Sequence, residues 1–191
     1  MTELENYISN YFEVAHTDLS KVGNLFTEKR IAKGDFFLKI HKYSDQIGFL
    51  KSGYLRIYAP DSHENKEITQ WISATGSFVA DLSSFMFQSP ARWNIQALTD
   101  CEVYMISKKD FDSIAAIVPQ WPQLEKLFVA KCFITLENRV FGHLSMTAEE
   151  RYHSFFSKHP EMFNEVPLQY LASMLGMSPE TFSRIRKKLS S

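Results

Sequence analysis

The sequence predicts an α+β chain: helices, then a small antiparallel barrel or sandwich, then one long helix, then a C-terminal helical pair. Three observations predict it. Between residues 29 and 107 short apolar pieces recur, several alternating with period two and separated by turn residues. Over 122–144 the apolar residues recur at helical spacing. Near the end, "VPLQYLASMLGMSPETFSRIRKKL" contains two helical patterns separated by Gly176.

The elements follow in order. Residues 3–28 read as helical, with Leu4, Tyr7, Ile8, Tyr11 and Phe12 on one face and a second short helix over 18–26. The strand pieces are "DFFLKI", "QIGFLKSGYLRIYAP", "KEITQWIS", "WNIQALT" and "CEVYMIS". In "YLRIY", Leu55 and Ile57 face one way and Tyr54, Arg56 and Tyr58 the other. In "KEITQWI", Ile68, Gln70 and Ile72 oppose Glu67, Thr69 and Trp71. One piece, "VADLSSFMF" (79–87), carries no turn residue and reads as a short helix inside the β region. Ser107 opens the helix "SKKDFDSIAAIV", and "PQWP" punctuates it.

In the long helix, Leu127, Ile134 and Phe141 fall seven apart, with Leu124, Phe128 and Val140 beside them. Lys131 and Asn138 interrupt any clean heptad seam. The helix either packs only on its own barrel or also pairs with its twin across a two-fold axis. A helix this long and apolar calls for more cover than one barrel gives, so the second is the expectation. "MTAEERYHSFFSKHPEMF" (146–163) reads as another helix, opened by a Thr147–Glu150 capping box and ended or bent by Pro160. A domain boundary is expected between 144 and 147.

In the final pair, Leu168, Leu171, Ala172 and Leu175 share one helix face. Pro167 suits a first helical turn, and Gly176 suits a left-handed helix end. Ser178 can cap the next helix and Pro179 suits its first position. There Phe182, Ile185 and Leu189 lie on one side. Glu180, Arg184 and Lys187 point the opposite way, flanked by Thr181, Ser183 and Lys188. An alanine, a glycine four residues on, then apolar positions six and nine beyond the glycine is the helix-turn-helix spacing. A hairpin that only closes a core does not need Ala172 and Gly176 together. Short polar, acidic and basic side chains near a helix N-terminus are an inventory that reaches base edges and phosphates. Double-stranded DNA is therefore the expected partner of Ser178, Glu180, Thr181, Ser183, Arg184, Lys187 and Lys188. A solvated helix tail is the plainer reading of the same basic run.

Charge and composition bound the remaining classes. The net charge of −1 gives no chain-wide bias toward nucleic acid, but residues 184–188 hold four basic side chains and no acid. No run approaches the roughly 20 apolar residues of a membrane span, and the acidic, amphipathic N-terminus is not a signal peptide. A cytoplasmic location and no membrane partner are expected. Cys101 and Cys132 show no metal-ligand spacing and read as buried free thiols. His41, His63, His143 and His159 read as surface residues, and His153 and His159 are not spaced to share a metal. The sequence has no P-loop, GxSxG, HExxH or dinucleotide fingerprint, so an enzyme finds little support and no catalytic residue is assigned.

In this order of elements, with "GMSPETFSRIRKKL" as its most specific stretch, the chain resembles the catabolite-activator (Crp/Fnr) family of bacterial transcription regulators over roughly residues 5–189. The resemblance implies an N-terminal cyclic-nucleotide-binding-type β-roll over 1–121, a dimerisation helix over 122–145 and a helix-turn-helix DNA-binding domain over 146–191. It implies a homodimer with Leu127, Ile134 and Phe141 at the interface. By position Glu180 and Arg184 match base-contacting residues, and Ser178 and Thr181 match cap or phosphate-contact positions. Pro179 stands where the best-known members carry arginine, and no β-wing follows Leu189, so weaker DNA binding is expected. In the roll, Ala80, Asp81 and Leu82 match the family's Gly-Glu-Leu, and Arg92 with Trp93 stands near its Arg-Ser or Arg-Thr, one place late. In that family a helix N-terminus and an arginine hold the cyclic phosphate. Here Asp81 is one methylene short, and Ala80 brings a methyl toward the ligand. The effector stays open between a small anionic, aromatic or nucleotide-like molecule other than cyclic AMP, no small ligand at all, and, least expected, cyclic AMP itself; no cofactor is certain. The alternative is a dimeric sensor or scaffold that no longer reads DNA.

Overall fold

The computed structural model describes residues 1–61 and 66–189. Expectations for His63, and for the side chain of Leu189, lie outside the described residues. Two helices open the chain, α1 (Glu3–Phe12) and α2 (His16–Gly23). Thr2 and Glu5 form a capping box at the start of α1, and left-handed Glu13 (φ 53°) ends it. The expected helix to residue 28 is too long. Thr27 and Glu28 already belong to strand β1 (Thr27–Ile31), which pairs along its whole length with β8 (Cys101–Ser107). Tertiary pairing decides the state of such a short segment.

Between these two strands lie β2 (Phe36–Leu38), β3 (Gln46–Ser52), β4 (Leu55–Pro60), β5 (Glu67–Ser73), β6 (Phe78–Val79), α3 (Leu82–Phe87) and β7 (Asn94–Ala97). They make two four-stranded sheets, β1-β8-β3-β6 and β2-β7-β4-β5. The α3 helix starts three residues later than expected because Val79 pairs with Gly48 in the sheet. Gly53 turns the chain from β3 into β4 with φ +89°, and an added Cβ there would lie 2.5 Å from the Asp100 carbonyl oxygen.

Strand β3 separates two apolar layers. Leu50 joins Leu55, Ile95 and Val103 between the sheets. Ile47 and Phe49 face the helices, against Ile8, Phe12, Trp121 and Phe128. Both sides of β3 are therefore covered, as they are on β4, where Leu55, Arg56, Ile57 and Tyr58 are all buried. In β5 it is Thr69 that is buried while Ile68 and Trp71 are exposed. The Thr69 N–H donates to the Ser173 hydroxyl at 2.9 Å.

Helix α4 (Lys108–Ile117) is capped by Ser107, and the long α5 runs Trp121–Ser145. After it come α6 (Ala148–Phe156), α7 (Met162–Glu165), α8 (Leu168–Met174) and α9 (Pro179–Leu189). The helix expected over 146–163 is two helices. α6 ends at Phe156, and a turn containing Pro160 leads into α7. Among the thiols only Cys101 is buried; Cys132 is half-buried beside the α1–α2 layer, and burial pushes both thiols above the usual range.

The chain divides into two compact units, residues 1–57 with 73–133, and residues 58–72 with 134–191. The division falls inside α5, and the second unit includes β5. Its core is aromatic: Tyr152 meets Phe163 at 5.3 Å and Phe182 at 5.1 Å between ring centroids. Among the described residues no helix is long and apolar enough to cross a membrane.

Candidate nucleic-acid interface and effector site

The last two helices are joined by a turn that the sequence dictates closely. Gly176 takes φ +67°, and its N–H donates to Ser173 O at 3.1 Å while the Met177 N–H reaches Ala172 O at 3.0 Å. Ala172 is fully buried. The Ser178 hydroxyl accepts the Thr181 N–H at 3.2 Å, which starts α9. Pro167 lies one residue earlier than expected, at the N-cap of α8 and not inside its first turn.

Phe182 and Ile185 are buried, which fixes which face of α9 meets solvent. Glu180, Ser183, Arg184 and Lys187 line one shallow surface hollow together with Pro179. Arg184 is exposed and has no hydrogen-bond or ion-pair partner among the described residues. The Glu180 carboxyl is held below the usual glutamate range by its own backbone N–H and by the Ser178 hydroxyl. The other three predicted contacts stand apart. Ser178 is engaged as the cap, Thr181 is capped and half-buried, and the Lys188 ammonium is tied to Glu149 at 2.8 Å.

Helix α5 presents two faces. Phe128 is buried in the helix–sheet layer, and Leu124 and Cys132 pack against that layer. On the outer face Leu127, Phe133, Ile134, Val140, Phe141 and Leu144 are exposed, Leu144 by 82%. Lys131, which breaks the heptad pattern, is paired with Glu13 at 2.5 Å.

At the start of α3, Asp81 is almost fully buried. One carboxylate oxygen accepts the Ser84 N–H at 3.0 Å and the Ser83 hydroxyl at 2.8 Å. The other accepts the Arg92 backbone N–H at 2.8 Å. Both oxygens are thus committed within the chain. The Arg92 guanidinium is exposed and lies 5.6 Å from the Trp93 ring. It does not meet the Asp81 carboxylate. Ala80 and Leu82 are half-buried on either side.

The sequence of residues 28–117 matches the family described as the cyclic nucleotide-binding domain. The match covers less than half of the chain. No curated protein matches the chain. Among solved structures it is similar to FixK2 from Bradyrhizobium japonicum, at 18% identity and TM-score 0.72 over 86% of this chain and 84% of that one. It is also similar to the catabolite activator protein of Thermus thermophilus, at 15% identity and TM-score 0.58 over 94% and 85%. Against cAMP-bound PfPKA-R (141–441) the identity is 18% and the TM-score 0.53, and this chain spans 59% of its own length but only 40% of that chain. At these identities the likeness to such regulators is one of fold.

The sequence reading puts Arg56 on one face of its strand but does not give its burial: the residue is 2% exposed on β4. In the second unit it missed Arg151. Its Nε donates to Leu175 O at 2.9 Å, its Nη1 to Met146 O at 2.7 Å and its Nη2 to Gly176 O at 3.4 Å. The one guanidinium thereby joins the end of α5 to the turn before α9. Arg139 reaches Met174 O at 3.2 Å and lies 5.1 Å from the Trp71 ring. Neither arginine belongs to a motif, so spacing alone carried no signal for them. His159, expected at the surface, is half-buried, its ring 5.0 Å from Phe155.

Proposed function

We propose that the chain is a DNA-binding transcriptional regulator of the Crp/Fnr type, with α8 and α9 as a helix-turn-helix that reads double-stranded DNA. The observation that carries this reading is the α9 surface. Phe182 and Ile185 anchor the helix, while Glu180, Ser183, Arg184 and Lys187 face outward together. The chain acts as a homodimer joined through the outer face of α5, where Leu127, Ile134 and Phe141 form an apolar strip that needs cover.

The regulator is effector-controlled, and the effector is not cyclic AMP. A phosphate at α3 has to displace Asp81 from three donors it already holds, and Arg92 points along Trp93. If an anion nevertheless acts through Ala80, Asp81, Leu82, Arg92 and Trp93, then Arg92→Ala abolishes its effect.

The experiment is binding of the whole chain to a pool of random duplexes over a salt series. Affinity is expected to fall steeply as salt rises, because phosphate contacts release counterions. A dimer that ignores duplex DNA at low salt is a sensor or scaffold instead, and overturns the reading.

A further inference from the structure

Within the second unit an open groove of about 510 Å³ is lined by Arg139, Arg151, Lys158 and His143, with Trp71 and Phe155 as apolar wall. Among the described residues no aspartate or glutamate lines it. The two guanidinium groups donate, among the described residues, to backbone carbonyls, at Met146, Met174, Leu175 and Gly176. Among the described residues neither has a carboxylate partner, and Lys158 has no ion pair. Desolvation holds Arg139 below the usual arginine range. Burial first, and then the charges of Arg139 and Arg151, hold His143 below the usual histidine range. Arg139 is thus a desolvated cation in a groove it shares with Arg151 and Lys158, which is costly without a counter-charge.

We propose that this groove binds a small organic anion, its carboxylate or phosphate held by Arg139, Arg151 and Lys158 and its apolar body against Trp71 and Phe155. Such an anion draws on the same guanidinium groups that tie Met146 to Leu175 and Gly176, at the turn that sets α9. The site stands on its own geometry. Only what the ligand controls rests on the regulator reading above.

The test is calorimetric titration of the whole chain, without DNA, with phenyl phosphate and with inorganic phosphate at constant ionic strength in chloride. Phenyl phosphate is expected to saturate one site per chain and to bind at least about tenfold tighter than inorganic phosphate. Arg139→Gln and Lys158→Gln are each expected to weaken it roughly tenfold, the loss of one charge-assisted hydrogen bond. Lys158 is exposed, so its variant keeps the test valid if Arg139→Gln fails to fold. No saturable binding, or unchanged binding in Lys158→Gln, overturns the site. Equal affinity for the two probes removes the apolar wall and overturns the ligand class. Loss of binding in Arg92→Gln, with the groove variants intact, moves the anion to the roll and overturns the proposal. The arm contains no DNA, so its failure is separate from failure of the duplex titration.

Discussion

Helices α3 and α9 start in the same way and end up with opposite consequences. Each opens on a short polar residue that accepts the N–H three positions on, Asp81 for Ser84 and Ser178 for Thr181. The α3 cap is charged and buried, and it also binds Ser83 and the Arg92 backbone. That closes the helix start with the protein's own anion. The α9 cap is neutral and exposed, and its hydroxyl meets only its near neighbours Thr181 and Glu180 among the described residues. The exposed side chains beyond it, Arg184 and Lys187, stay at the surface. One start is thus a structural fastener and the other leaves its side chains in solvent. The residue at the cap decides which, because a buried carboxylate demands all its hydrogen bonds and an exposed hydroxyl does not.

The largest expected effect breaks the fastener. Asp81→Ala removes a cap and leaves the Ser84 and Arg92 N–H groups unmet, which costs about 2–3 kcal/mol. A lower urea midpoint checks it; a midpoint within error of the parent means that water replaces the carboxylate and α3 is not closed by it. The next effect lies at the open start. Arg184→Ala is expected to cost about 1–3 kcal/mol on a preferred duplex and to relax its sequence preference. Its urea midpoint stays put, because the side chain is exposed. Equal loss on preferred and random duplexes removes its base-reading role. Ser178→Ala comes third. Loss of an exposed N-cap costs about 1 kcal/mol, read as a lower midpoint. It also lets the Glu180 carboxyl rise toward the usual glutamate range, since the Ser178 hydroxyl is one of the two donors that hold it down.

The α8–α9 turn was readable in the sequence because each of its residues answers a local demand: left-handed Gly176, capping Ser178, apolar Phe182 and Ile185 at helical spacing. The long helix was readable from its period, and the structure extends it by one residue at each end. Strand β1 was not, because "TEKRI" has a single buried position and becomes a strand only by pairing with β8. The strands' two faces were readable as alternation, but not that both are covered on β3 and β4, which depends on what packs outside them. At α3 the family resemblance singled out Ala80, Asp81 and Leu82 as a ligand cassette, and hydrogen-bond geometry shows Asp81 already engaged. Arg139 and Arg151 lie beyond any spacing argument, since they act on carbonyls that folding brings to them from α5 and α8.

The smallest effect sharpens the open side of the comparison. Lys188 lies on α9 like Arg184, but its ammonium is bonded to Glu149 at 2.8 and 3.1 Å. The pair is exposed, so solvent screens it and its loss is expected to leave the urea midpoint unmoved at neutral pH. The bond with Lys188, then its charge, hold Glu149 below the usual glutamate range. A lowered folded value means that any contribution is present above that range and fades as pH falls through the lower value. Lys188→Ala therefore differs from the parent, if at all, only at the higher pH. Toward DNA it removes a single phosphate-class charge, so all duplexes weaken alike and less than with Arg184→Ala. A sequence-selective loss in Lys188→Ala means that Glu149 releases it on the duplex and that the reading face of α9 is wider than its four outward residues.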